Sequence, residues 1–138
     1  MKVTTLNGRR FVIINVPKYR IKWAGKTRSK FQSGVKAFLK PYWQNDICIE
    51  EFRIPGCLLR CDIINLTQKI VVEISGRQHQ EHVKHFHGES RIGFRDQIKR
   101  DCMKMDWAIA NHFKFVEIFE EDLPLTEAFF KDKYDIIL

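Results

Sequence analysis

The apolar positions fall into runs of two different periods. Arg10-Phe11-Val12-Ile13-Ile14-Asn15-Val16 is a β-branched run closed by Pro17, a short strand or extended arm. The polar, basic segment from Lys18 to Arg28 reads as a loop or ribbon. Ser29 suits an N-cap, and Phe31, Val35, Phe38 and Leu39 then recur at helical spacing, giving a helix to about Lys40, with Pro41 stopping it or lying just beyond. Three strands follow: Ile47–Ile54, Leu58–Leu66 after the Pro55-Gly56 turn, and Lys69–Ile74 after a turn at 65–68. The third is strongly β-branched, as a central strand should be. Beyond Gly76 a polar, histidine-rich stretch runs to Ser90. A long helix is expected from Ser90 to Asn111, with Ile92, Ile98, Cys102, Met105 and Ile109 toward the core. Phe113–Phe119 makes a fourth strand, and Leu123-Pro124 opens a last helix carrying Phe129, Phe130 and Tyr134.

The order is helix, three strands, helix, strand, helix. A strand reached through a helical crossover pairs parallel to an earlier one. The expected fold class is therefore α/β, a mixed central β-sheet flanked by helices. The 138 residues suit one domain: a basic N-terminal strand or arm (1–28), a core (29–119) and a C-terminal helix (120–138).

Composition narrows the function. Apolar residues make up 44% of the chain, enough for a packed core. No apolar run approaches the ~18 residues of a membrane span, and the first residues lack a signal-peptide core, so the expected setting is cytoplasmic, without membrane partners. Lys and Arg number 24 against 17 Asp and Glu, and the first 40 residues hold 11 basic and no acidic side chains. Such a basic lobe suits the phosphates of a nucleic acid. Cys48, Cys57, Cys61 and Cys102 show no paired metal-ligand spacing and read as reduced, buried fillers. Trp23, Tyr42 and Trp43 are core aromatics or stacking surfaces for bases.

Two acids interrupt apolar strands, Asp62 in the second and Glu73 in the third. Eleven residues apart across a short turn, they can lie side by side. Paired carboxylates in an apolar sheet repel unless a cation or proton sits between them, and oxygen-rich pairs are natural ligands of Mg²⁺. The alternative for each is an exposed acid on an outward strand face. Four histidines, His79, His82, His85 and His87, sit in one polar loop; zinc, catalysis by one of them, and phosphate or solvent contact are all open to them.

The order of elements, with Asp62 in one strand and Glu73-Ile74-Ser75-Gly76-Arg77-Gln78-His79 leaving the next, resembles the PD-(D/E)XK nuclease superfamily. The nearest likeness is to its very-short-patch-repair-like endonuclease branch. Arg100-Asp101-Cys102-Met103-Lys104 also looks like a segment that often follows there. The resemblance covers roughly Ser29 to Phe119. It implies a restriction-endonuclease-like core and a metal-dependent DNA endonuclease, of the kind phages and mobile elements encode. Asp62, Glu73 and the Ile74 carbonyl would hold Mg²⁺ (or Mn²⁺). Gln32, where many relatives carry Glu, would contact the metal or its water, or is a plain polar helix residue. The motif's lysine position holds Ser75, which cannot carry its charge. His79, Lys99 or Lys104 would have to replace it, or else the chain binds DNA without cutting it. Lys26, Arg28, Arg77, Lys84, Arg91, Lys99, Arg100 and Lys104 would face DNA, duplex or branched. A dimeric Holliday-junction-type resolvase is the other nuclease reading, since small resolvases share this fold and size.

Overall fold

The computed structural model describes residues 1–8, 11–24, 29–75 and 103–138. Strands β1 (Lys2–Thr4) and β2 (Phe11–Ile13) form an antiparallel pair, followed by a short helix α1 (Val16–Tyr19). Helix α2 (Lys30–Trp43) leads into β3 (Cys48–Arg53), β4 (Arg60–Asn65) and β5 (Ile70–Ser75). Residues 103–110 are helical (α3), then come β6 (Lys114–Phe119), a single 3₁₀ turn at Glu120–Asp122 and helix α4 (Glu127–Tyr134).

The main sheet has the order β3-β4-β5-β6, antiparallel except for the parallel β5–β6 pair. The fold is thus mixed α/β, with a four-stranded mixed sheet flanked by helices. Alternation of side chains along the strands gives the sheet two buried faces. One packs Ile63, Ile70, Val72, Val116 and Ile118 against Val35, Leu39 and Trp43 of α2 and Phe130 of α4. The other packs Ile49, Phe52, Ile64 and Val71 against Val3 and Ile14 of the N-terminal pair and Trp107 and Ala108 of α3.

Several expectations from the sequence change here. The expected short strand is present as Phe11–Ile13, but Val16 at the end of the run already belongs to α1. Asn15 accepts the Lys18 N–H, and Pro17 lies in the first turn of α1, where its fixed φ and missing donor cost nothing. The region read as a loop therefore starts as helix. Pro41 does not stop α2. It forfeits one hydrogen bond near the C-terminal end, and the last turn is held by fully buried Trp43 and by the Gln44 N–H on the Lys40 carbonyl (2.9 Å). Trp23 and Tyr42 pack part-buried against the same core.

Met105 and Ile109 do not face the core; they are 39% and 59% exposed. Helix α3 instead turns Lys104, Trp107, Ala108 and Asn111 inward, the i, i+3, i+4, i+7 stripe. Trp107 stacks on Phe113 at 5.8 Å between centroids and leans on Phe52 at 5.9 Å. These aromatic contacts account for the helix's rotation. Asn111 then holds β1, accepting the Thr4 N–H (2.7 Å) and donating to the Thr4 carbonyl (3.1 Å). Ile92, Ile98 and Cys102 lie outside the described residues.

Candidate active site

The β4–β5 ladder pairs Asn65 with Ile70, Ile64 with Val71 and Ile63 with Val72. One step further in the same register, Asp62 stands opposite Glu73, where backbone pairing gives way to side-chain pairing. The Ile74 N–H donates to Asp62 Oδ2 at 2.8 Å instead of to a backbone carbonyl. The carboxylate thus ends the ladder and ties β5 to β4 at the point where the two acids meet.

The row of acids is wider than the sequence suggested. In the parallel β5–β6 register Glu73 pairs with Glu117. On β3 the step opposite Asp62, between the pairs Glu50–Ile63 and Phe52–Cys61, belongs to Glu51. Glu51 has a φ of 50°, the left-handed region, which an L side chain adopts only at a cost. The result is a break in alternation. Ile49 and Phe52, three apart, pack on the same face, and so do Cys61 and Ile64 across from them. Four carboxylates, one per strand, therefore occupy one level of the sheet: Glu51, Asp62, Glu73 and Glu117.

Each is handled differently. Gln32 Nε2 of α2 donates to Glu51 Oε1 (3.2 Å), so Gln32 reaches the acid beside Asp62. Lys104 on α3 makes an ion pair with Glu73, both side chains nearly out of solvent. The Ser75 hydroxyl donates to Glu117 Oε1 at 2.9 Å. Ser75 is buried, and its polar contact is with β6.

Burial pushes the Asp62 carboxyl up from its ordinary value, and Glu51 adds to the rise. The Ile74 N–H, the Lys104 ammonium and a hydrogen bond with Glu73 pull it down without cancelling the rise. Burial works against the Lys104 ammonium, yet Glu73, Asp62 and Cys61 outweigh it and hold Lys104 above the usual lysine range. The thiol of Cys61 is pushed well up, by burial first and by the charge of Glu73 next; it is an inert filler rather than a nucleophile. Cys48 is likewise buried and pushed up to about 12.

Among the sequence candidates, the structure brings Asp62, Glu73, Ile74 and Lys104 together, places Gln32 one carboxylate away, and directs Ser75 to Glu117. His79, Arg77, Lys84, Arg91, Lys99, Arg100, Lys26 and Arg28 lie outside the described residues, as do the other loop histidines. Glu51 and Glu117 were missed. The signal for Glu117 was its place in a strand parallel to that of Glu73; at Glu51 the alternation of side chains fails at a left-handed backbone, which is invisible in the sequence.

Mg²⁺ takes hard oxygen ligands, usually one or two carboxylates completed by waters and substrate phosphate. The Asp62–Glu73 pair is of that donor type, and the group of Ile74 that meets Asp62 is its N–H. Among the described residues no group of three His, Cys, Asp or Glu side chains is arranged to hold a metal unaided. Among the described residues, too, no helix is long and apolar enough to cross a membrane. No family model, curated protein or solved structure matches the chain.

Proposed function

We propose that the chain is a metal-dependent DNA endonuclease of the PD-(D/E)XK type, with a restriction-endonuclease-like core and Asp62 and Glu73 as its metal ligands. The observation that carries this reading is the meeting of the two carboxylates where β4 and β5 part, with a buried lysine on one of them. Carboxylates held at such a point answer a cation. A bound Mg²⁺ would supply polarisation of a phosphodiester and a lowered pKa for an attacking water.

The chain's own groups do the rest. Asp62 is oriented by the Ile74 N–H, so its second oxygen is aimed by the backbone rather than by a flexible partner. Lys104 supplies the positive charge that the resemblance expects at position 75. It reaches Glu73 from the helix instead of from the strand. In the free protein it offsets the paired acids; with DNA present it faces the phosphate that joins them. Ser75 serves as a strand tie to Glu117. The net charge of +7 favours the polyanionic substrate.

The test is nicking of supercoiled plasmid in Mg²⁺ by the wild type and by Asp62→Ala and Glu73→Ala. The wild type cuts, and each variant loses at least about a hundredfold in rate, several kcal/mol of barrier. Equal cutting by the variants sinks the assignment. A wild type that binds DNA but never cuts it leaves the non-catalytic DNA-binding reading in its place. Running a four-way junction beside linear duplex separates a resolvase from a general endonuclease.

A further inference from the structure

A second feature lies at the end of the edge strand β3, just past Glu51. A groove of about 640 Å³ opens between β2 with α1 and the β3–β4 turn, within the range of small-ligand sites. Its floor is Phe52 and Ile54, both buried. Its walls are apolar and wet: Ile13 is 68% exposed and Leu58 79%. Exposed apolar side chains facing each other across a cleft mark a binding surface.

The groove's charge names the partner. Its lining includes Lys18 and Arg53 and no acid. Arg53 stands directly opposite Arg60 in the β3–β4 register. Like charges at that spacing destabilise a sheet, and among the described residues no ion pair engages either guanidinium. Arg20 and Lys22 continue the cationic line along the same edge, where segment 20–22 joins β3 through the Arg20–Ile49 bridge and the Ile21 N–H on the Cys48 carbonyl. Of the two acids on β3, Glu50 is paired with Lys36 and Glu51 accepts a hydrogen bond from Gln32. Within the groove Tyr19 stands edge-on to Phe52 at 5.2 Å, with Lys18 Nζ 5.3 Å from its ring centre.

We propose that this groove binds single-stranded nucleic acid, an unpaired base lying against Tyr19 and the apolar walls while its flanking phosphates meet Lys18 and Arg53. A stacked, paired base cannot present its face to such walls; an unpaired one can. An acidic peptide would satisfy the arginines but would leave Ile13, Leu58 and the Tyr19 ring in water. The proposal rests on the groove and its charges and holds whether or not the acid row cuts DNA.

The experiment is fluorescence anisotropy with a labelled oligothymidylate of about twelve nucleotides. Chelator is present throughout, so cleavage plays no part. Replacing both cations, Lys18→Gln with Arg53→Gln, weakens binding about tenfold, whereas Lys40→Gln with Lys131→Gln on the α2 and α4 side changes it less than about twofold. The exposed Leu58→Asp, which removes no packing from the core, weakens binding of the thymidylate but not of an abasic strand of the same length. Equal losses from the two double variants overturn the proposal. So does an abasic strand that binds as tightly as thymidylate, or polyglutamate that displaces it as well as free oligonucleotide does. Plasmid cutting without groove binding defeats this proposal alone; groove binding without cutting defeats only the nuclease reading.

Discussion

Two lysine–glutamate pairs flank the same sheet, one on each face, and they are built to opposite ends. On the α2 face Lys36 Nζ meets Glu50 Oε2 at 2.9 Å, with Lys36 only 3% exposed. Nothing in that pair is left over. Lys36 also donates to the Lys22 carbonyl (2.6 Å), and the other Glu50 oxygen accepts the Lys22 N–H (3.1 Å). One residue of the basic segment is thereby gripped by both its backbone groups. On the α3 face Lys104 meets Glu73 with Asp62 beside them, while at the same level Glu117 continues the row on β6 and Glu51, on β3, is held from α2 by Gln32. Here, among the described residues, the charge of Lys104 acts on both Glu73 and Asp62. The first pair is a closed clamp that holds a segment in place. The second is a shared contact in which a lysine and neighbouring acids meet, and the proposed metal site is built on it.

The sharpest way to break this comparison is to remove the lysine from each pair and read activity and stability separately. Lys104→Gln is expected to cut plasmid nicking by about 10²–10³-fold, the scale of losing one charge-stabilising group in an active site. Lys104→Arg should recover part of it, because the charge returns with altered reach. A purely structural Lys104 would give a variant that melts earlier yet nicks normally per folded molecule. Its linkage also has a sign. Lys104 titrates above the ordinary lysine value, so its contribution to stability is present below that value and is lost as pH rises through the folded one. Strongly alkaline urea titrations should therefore cost the wild type more than Lys104→Gln.

Lys36→Met is the mirror experiment. It strands Glu50 against the sheet and frees the Lys22 carbonyl, at a cost of about 3 kcal/mol in urea-unfolding free energy. Nicking per folded molecule should be unchanged, since the clamp's partners are Lys22 and Glu50 rather than Asp62 or Glu73. A loss of nicking out of proportion to unfolding would mean that the two faces are coupled and that the comparison is drawn wrongly.

How much of this was legible beforehand follows from what each feature depends on. The strand order, the parallel last strand and the meeting of Asp62 with Glu73 rest on period-two patterning and turn positions, which sequence records directly. Lys104 is one of the three side chains that the sequence offers where the lysine is missing at Ser75, and its reach to Glu73 depends on the rotation of α3, with Trp107 packing on Phe113 and Phe52, rather than on the Met105 and Ile109 pattern that the sequence displays. Glu51 was illegible because the alternation rule fails at that residue: a left-handed φ moves Phe52 to the face it should not occupy. The Lys36–Glu50 clamp joins residues on a helix and a strand through a backbone group of a third segment, and no periodicity encodes that. The β1–β2 pair escaped for a related reason. Three-residue strands held by Asn111 from the far end of the chain carry little local signal.

The strained Glu51 also gives the smallest and most discriminating prediction. Its carboxylate is one of the groups that raise Asp62. A carboxyl whose folded pKa is raised binds its proton more tightly in the native state. Its contribution to stability is therefore present below the ordinary carboxylate value and fades as pH climbs through the raised one, the reverse of the usual salt-bridged acid. Asp62→Asn should remove that slope, which urea titrations from about pH 4 to neutrality will read as a difference from wild type. Glu51→Gly acts on both causes at once. Glycine accepts a φ of 50° without a side-chain clash, so the variant should gain about 1 kcal/mol. Removing the charge should also lower Asp62 toward its ordinary value and flatten part of the same slope. If Glu51→Gly stabilises the protein but leaves the Asp62 slope intact, the row ends at Asp62 and Glu51 is only a backbone device. If it flattens the slope and also weakens nicking, the row acts as one electrostatic unit, and the strain at Glu51 is the cost of placing a third carboxylate beside the pair.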